Sequence, residues 1–243
     1  MIINLWSTPR SGSNWYATYL VNEQKTEYPK ITKIKHYLNY YHLKNYNSST
    51  GDWVYEYSNG LCYPAYFYDY LIQGIRKGAI CGKRTKNVEQ EEEYRISLFE
   101  KHNFKKNPVV MHSHFAPMSK KGYDYLFNKA DRNIFLYREN FVEQMSSYAL
   151  ASGTNIWKPR DKLPIFENID ADEGVLKHLY ERILLWHKID KRGCEIVKYE
   201  NFDFTYKGKD MPQKQNKVST FSQLSKKTQD VILKFETELK KNL

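Results

Sequence analysis

The sequence predicts an α/β domain, and three observations carry that expectation. Short apolar runs at Ile2–Trp6, Pro108–Met111, Ile134–Tyr137 and Cys194–Val197 have strand character, and the first three lead into segments whose apolar residues recur at helical spacing. The length, 243 residues, fits one large domain spanning 1–243 better than two small ones and is enough to bury a proper core. A 41% apolar share with 16% aromatic residues is globular in character, which excludes a disordered chain.

The first strand, its loop and the helix after it read Asn4-Leu5-Trp6-Ser7-Thr8-Pro9-Arg10-Ser11-Gly12-Ser13-Asn14-Trp15-Tyr16. Trp15, Tyr16, Tyr19, Leu20 and Val21 follow at helical spacing, so a helix is expected from about Asn14 to Gln24. Strand, small-residue loop and helix N-terminus together cradle a phosphate, because the first helical amides lack internal partners and the positive end of the dipole faces the loop. Gly12 permits close approach of backbone to the anion, Ser11 and Ser13 bring hydroxyls, and Arg10 brings a planar fork of donors. The competing reading is a tight turn between a strand and an amphipathic helix. The pattern G-x-x-x-x-G-K-[ST] is absent, which excludes the nucleoside-triphosphatase loop.

Net charge is +10, with Lys+Arg 38 against Asp+Glu 28, and favours an anionic partner: nucleotide, acidic glycan, nucleic acid or membrane surface. Cys62, Cys81 and Cys194 are odd in number and lack metal or C-x-x-C spacing, so reduced thiols and a reducing compartment are expected. With no signal-like N-terminus and no run of 18 apolar residues, the chain reads as soluble and cytoplasmic, without a membrane span. The sequon Asn47-Ser48-Ser49 is of a length that arises by chance.

Residues 25–105 are the least legible. Ile31–Lys35 alternates like a strand, and 37–57 is a polar, tyrosine-rich tract, either a substrate-facing insertion or a helical segment. Tyr66, Tyr70, Leu71 and Ile75 suggest a helix ending near Lys77-Gly78, and 79–82 a short strand. From Val88 to His102 an acidic start and a basic end suit a helix dipole; the glutamate run is a solvated face.

Pro108-Val109-Val110-Met111-His112-Ser113-His114-Phe115-Ala116-Pro117 is a buried strand ending in a loop with two histidines, placed where ligands gather in open α/β sheets. His-x-His on a strand is also a common metal arrangement, but no further Cys/His cluster lies nearby, so no metal is expected. After a helix at about 119–128, the strand Ile134–Tyr137 delivers Arg138 to its end. Phe141, Val142, Met145, Tyr148 and Ala149 then share one helix face, and Ser146 lies eight residues beyond Arg138. Residues 152–170 read as a loop or lid. Asp170 or Asp172 caps a long helix carrying Leu176, Leu179, Ile183 and Trp186, with Lys188, Lys191 and Arg192 at its end and Gly193 closing it. Cys194–Phe202 is the next strand, and Leu224, Val231, Ile232, Phe235 and Leu239 mark a last helix.

In this order the stretches resemble the sulfotransferase superfamily. Pro9-Arg10-Ser11-Gly12-Ser13-Asn14-Trp15 is similar to its 5′-phosphosulfate loop, Pro-Lys/Arg-Ser-Gly-Thr/Ser-Thr/Asn-Trp/Leu. His112-Ser113-His114 stands where those families often have Lys-Thr-His. His114 thus matches the base acting on the acceptor hydroxyl and His112 replaces the lysine, although one extra residue precedes Pro117 and a neutral imidazole lacks the lysine's permanent charge. Arg138 and Ser146 match the 3′-phosphate signature Arg-x-Pro-x-Asp-x-x-x-Ser, without its proline and aspartate. Val197-Lys198-Tyr199-Glu200-Asn201-Phe202 is similar to Val-x-Tyr-Glu-Asp-Leu, in which Glu200 would hold a loop or a neighbouring backbone. The C-terminal Arg-Lys-Gly triplet is absent; a lysine of 206–219 either substitutes or belongs to a solvated loop.

The resemblance implies a P-loop NTPase-like fold with a central parallel sheet flanked by helices. It further implies transfer of a sulfuryl group from 3′-phosphoadenosine 5′-phosphosulfate to an acceptor hydroxyl on a carbohydrate or small molecule, leaving adenosine 3′,5′-bisphosphate. Ser13 and Asn14 would hold the 5′-phosphate, Arg10 the developing charge, and Arg138 with Ser146 the 3′-phosphate. His114 would be the base, with His112, Glu23 or Glu27 next in line. Trp15 is either an adenine platform or core. Two other classes remain: a nucleotide or sugar kinase, which should carry a P-loop lysine and carboxylates for Mg²⁺, and a basic nucleic-acid-binding protein, which would not account for the phosphate loop.

Overall fold

The computed structural model describes residues 1–35, 46–47, 52–53, 96, 100, 108–114, 120–154, 156, 165–191, 193–209, 211 and 220–243. The strands are β1 (Ile2–Ser7), β2 (Thr32–Lys35), β3 (Tyr46–Asn47), β4 (Asp52–Trp53), β5 (Val109–His114), β6 (Arg132–Tyr137) and β7 (Glu195–Lys198). The helices are α1 (Ser13–Gln24), α2 (Lys120–Lys129), α3 (Phe141–Thr154), α4 (Glu173–Lys188) and α5 (Lys226–Asn242). Five strands hydrogen-bond in the order β2-β5-β1-β6-β7, and β3 pairs antiparallel with β4. Beta strands followed by helices give the α/β character expected from the sequence. The chain divides into two compact units, Met1–Trp6 with Leu20–Ile134, and Ser7–Tyr19 with Phe135–Leu243.

In the first unit β2 runs parallel to β5, with Thr32 opposite Val109 and Lys35 opposite His112. The Val109 N–H donates to Met1 O and the Asp131 N–H to Ile2 O, so β5 and β6 begin beside the start of β1. Every residue of β1 is buried, which explains its apolar run. Trp6 satisfies its indole by donating Nε1–H to Asn133 Oδ1 at 2.9 Å, and Asn133 in turn donates Nδ2–H to Phe127 O in α2. β6 starts at Arg132 and not at Ile134, because backbone pairing with β1 already begins at the Asp131 N–H, and the Asn133 amide ties the strand to the helix before it.

The second unit has its core between α3, α4 and α5. Phe141, Met145, Tyr148 and Ala149 pack with Leu176, Leu179, Tyr180 and Ile183 and with Leu224, Ile232, Phe235 and Leu239. Each fully buried large side chain of this set contributes about 1.5–3 kcal/mol. Asp172 caps α4 by accepting the Val175 N–H at 3.0 Å, whereas Asp170 accepts the Ser225 hydroxyl and Ser225 caps α5. The Lys191 ammonium donates to His187 O and Ile189 O, closing the end of α4, and Gly193 follows with φ of 74°.

Boundaries in the second unit differ from expectation as well. α3 runs on to Thr154, into the stretch expected to be loop, and β7 stops at Lys198 because Tyr199–Asn201 turns into a 3₁₀ helix. The expected helices at 66–77 and 88–102 (Ile96 and Glu100, both helical, apart), the strand at 79–82, Cys62, Cys81 and most of 155–164 and 212–219 lie outside the described residues. No described helix is long and apolar enough to cross a membrane.

Candidate functional site

The site is built in the second unit, where the loop between β1 and α1 meets the start of α3. The first α1 hydrogen bond runs from the Tyr16 N–H to Gly12 O at 3.1 Å, so the amides of Ser13, Asn14 and Trp15 open the helix without intrahelical acceptors. No acidic side chain lies in that first turn to neutralise the dipole. Arg10 and Gly12 both have positive φ, 62° and 80°. For Arg10 this left-handed backbone costs roughly 1–2 kcal/mol, and strain of that kind persists only where surrounding bonds over-determine it.

Those bonds come from inside the loop and from α3. Ser11 Oγ donates to Thr8 O at 2.7 Å, and Gln144 Nε2 donates to Thr8 Oγ1 at 2.7 Å and to Pro9 O at 2.6 Å. The Arg10 side chain is fixed as well, its Nε donating to Ser147 Oγ at 3.0 Å. Gly12 is required by space as well as by φ: a Cβ there would overlap the Tyr199 ring, 2.7 Å from its Cε2.

Arg138 stands one residue past β6 and is 8% exposed. Its guanidinium lies 4.6 Å from the centroid of the Tyr199 ring and contacts Glu143 through Nη2 at 3.4 Å, while its buried Nε makes no hydrogen bond. The turn that presents it is held by Glu200, whose carboxylate accepts the N–H groups of Glu139 and Asn140 at 3.1 and 3.2 Å. Glu200 therefore holds a neighbouring backbone, as one of its two expected roles required. Lys198 pairs with Glu139 at 2.9 Å beside it.

Arg10 and Arg138 are electrostatic neighbours. Burial, and next the Arg138 charge, lower the Arg10 pKa below its ordinary value. Burial raises the Tyr199 phenol, with Glu200 adding to it, while both guanidinium groups pull the other way. The result is a buried, hydrogen-bonded corner with two guanidinium groups, one half-buried carboxylate and a neutral phenol.

Trp15 is a core residue. It is buried against Phe202 (ring centroids 4.9 Å apart), Phe204 (5.2 Å) and Tyr19 (5.6 Å). Ser13 is buried and Asn14 exposed at the helix start. Ser146 is fully buried, its hydroxyl donating to Val142 O at 2.6 Å. The serine that touches Arg10 is its neighbour Ser147. Sequence alone does not single out Gln144, Ser147, Tyr199 and Glu143; the signal available is a polar pair, Gln144 and Ser147, one turn apart in the helix after Arg138.

His112 and His114 belong to the first unit. β5 extends to His114, so both are strand residues and not part of the loop beyond it. His112 is buried, Ser113 fully so with its hydroxyl unpartnered, and the His114 side chain lies outside the described residues. Among the described residues no group of three or more His, Cys, Asp and Glu is arranged to hold a metal ion. Cys194 is a thiol outside any disulfide, and burial pushes its pKa up.

No protein-family model matches the chain, and a search of curated proteins finds no match.

Proposed function

We propose that this protein is a sulfotransferase that uses 3′-phosphoadenosine 5′-phosphosulfate and acts on a hydroxyl of a carbohydrate or small molecule. The observation that carries the reading is one corner that brings together Arg10 and Arg138 in mutual repulsion, with Arg138 Nε buried without a hydrogen bond and the N-terminus of α1 alongside. Buried donors of this kind fit phosphate groups, which supply negative charge and an acceptor for Arg138 Nε.

Sulfuryl transfer, like phosphoryl transfer, passes through a loose in-line transition state, so positioning and charge neutralisation do most of the work. The α1 amides with Ser13 and Asn14 bind the 5′-phosphate. Arg138, with Ser146 beside it in the motif, takes the 3′-phosphate; Ser146 must release the Val142 carbonyl to donate there. The acceptor oxygen forms its bond to sulfur as the bond from sulfur to the bridging oxygen breaks. Arg10 stabilises the charge left on that oxygen, an effect of about 3–4 kcal/mol for one well-placed donor. His114 receives the acceptor proton, an effect on the order of 10²–10⁴-fold; its place in the motif order assigns it this role. Fixed cations do the neutralising, so the scheme uses no metal. A reduced, cytoplasmic setting accords with this chemistry.

Thermal unfolding in the presence of three ligands tests the reading. Adenosine 3′,5′-bisphosphate at 100 times its Kd should stabilise the protein by about 2.7 kcal/mol, with no comparable shift from ATP plus Mg²⁺ or from a short oligonucleotide. Stabilisation by either of the latter alone would replace this reading with a kinase or a nucleic-acid-binding protein.

A further inference from the structure

We infer that Glu143 is a built-in stand-in for the anion at Arg138, and that it sets how tightly the corner takes a phosphate. The inference rests on the proposed role of Arg138. Arg138 is nearly buried, yet its carboxylate partner reaches it through one nitrogen only, at 3.4 Å, and leaves Nε unused. A guanidinium with five donors in a fixed fork is best satisfied bidentately, by two oxygens in its plane. A phosphate offers that arrangement and carries more charge, so it outcompetes a single long carboxylate contact.

The carboxylate is also placed to leave. The Glu143 side chain is 23% exposed, and its backbone is held independently, the Glu143 N–H donating to Asn140 Oδ1 at 2.9 Å. Swinging outward therefore turns the Glu143 carboxylate away from Arg138 without unravelling the first turn of α3, and the incoming phosphate takes over the buried guanidinium's charge. With Glu143 in place, the Arg10, Arg138 and Glu143 side chains sum to +1; with it displaced, the two guanidinium groups present +2 to the ligand. Binding of a 3′-phosphate at Arg138 must thus displace that carboxylate, and the displacement lowers affinity by the worth of the Arg138–Glu143 pair.

Calorimetric titration of the full chain with adenosine 3′,5′-bisphosphate and with adenosine 5′-monophosphate, which lacks the 3′-phosphate, provides the test. Glu143→Gln should bind the bisphosphate roughly three- to tenfold more tightly, the span of a partly screened ion pair. Its affinity for the monophosphate should be unchanged. Glu143→Ala should behave alike, which separates loss of charge from any new amide contact, and Arg138→Gln should abolish the difference between the two ligands. Equal or weaker bisphosphate binding by both Glu143 variants, with the wild type binding well, overturns the stand-in while leaving the nucleotide reading intact. An equal gain for the monophosphate overturns it too, by placing the effect away from the 3′-phosphate. Failure of every form to bind either ligand sinks the reading beneath it.

Discussion

Helix α3 serves two regions of the second unit that are held together by different physics. One face, with Phe141, Met145, Tyr148 and Ala149, enters the apolar cluster shared with α4 and α5, where Tyr180 and Phe235 stack 5.0 Å apart. Between those residues, Gln144 and Ser147 grip the loop of Thr8, Pro9 and Arg10, which is bent through two positive-φ residues. The first region is stabilised by burial, a non-directional effect that tolerates exchange of shape for shape. In the second a few directed bonds keep a strained backbone and two like charges in place, so small chemical changes there should alter the geometry of the corner before they alter whether the chain folds.

Substitutions should separate the two regions, beginning with the largest effect. Phe235→Ala removes a buried ring from the apolar cluster and should cost about 3–5 kcal/mol in denaturant unfolding. Its folded fraction should bind adenosine 3′,5′-bisphosphate as the wild type does. Gly12→Ala drives a methyl into the Tyr199 ring at a positive φ; overpacking of ~1–3 kcal/mol and a backbone penalty of about 1 kcal/mol should add. Here stability and ligand binding should fall together. Gln144→Leu keeps the volume but strips the Thr8 hydroxyl and the Pro9 carbonyl of their donor, with a loss of about 1–2 kcal/mol. Weaker bisphosphate binding out of proportion to the lost stability would mark the loop as the affected element. A Gln144→Leu protein with unchanged affinity would break the contrast between the regions.

The smallest effect is a pH dependence at the end of α4. Burial, then the Lys191 ammonium, lower the His187 pKa below its ordinary 6.5. The unfolded chain therefore binds this proton more readily than the folded one. The contribution of neutral His187 is complete above pH 6.5 and declines as the pH falls from there toward the lowered folded value. His187→Gln should flatten unfolding free energy over that window and leave it unchanged at pH 8.

Apolar periodicity made much of this architecture legible in advance. The helix expected at 14–24 forms at Ser13–Gln24, the alternation at 31–35 becomes β2, and Leu176, Leu179, Ile183 and Trp186 are buried on α4 as their spacing required. Capping was legible too, though Asp170 and Asp172 could not be told apart: one caps α4 and the other accepts from Ser225, a choice made by tertiary contact. The corner was legible only as residue types in order. Proximity of Arg10 to Arg138 depends on how α3 leans on the loop, and no spacing within one segment encodes that. Nor could spacing choose between Ser146 and Ser147, since a one-residue step turns a helical side chain by about 100° and the neighbours decide which of the two meets Arg10. Trp15 shows the same limit, because the rings of Phe202 and Phe204 that bury it come from beyond β7.

On the proposed reading, Arg10 and Arg138 act on one bound molecule carrying phosphate at both ends. Titration of adenosine 3′,5′-bisphosphate into wild type, Arg10→Gln, Arg138→Gln and the double variant, each checked for a native unfolding transition, addresses it most directly. The account requires one-to-one binding that weakens at least about tenfold in either single variant, about 1.4 kcal/mol each, with a double variant that departs from the sum of the two. Single variants that fold normally and bind the bisphosphate as tightly as the wild type would contradict it.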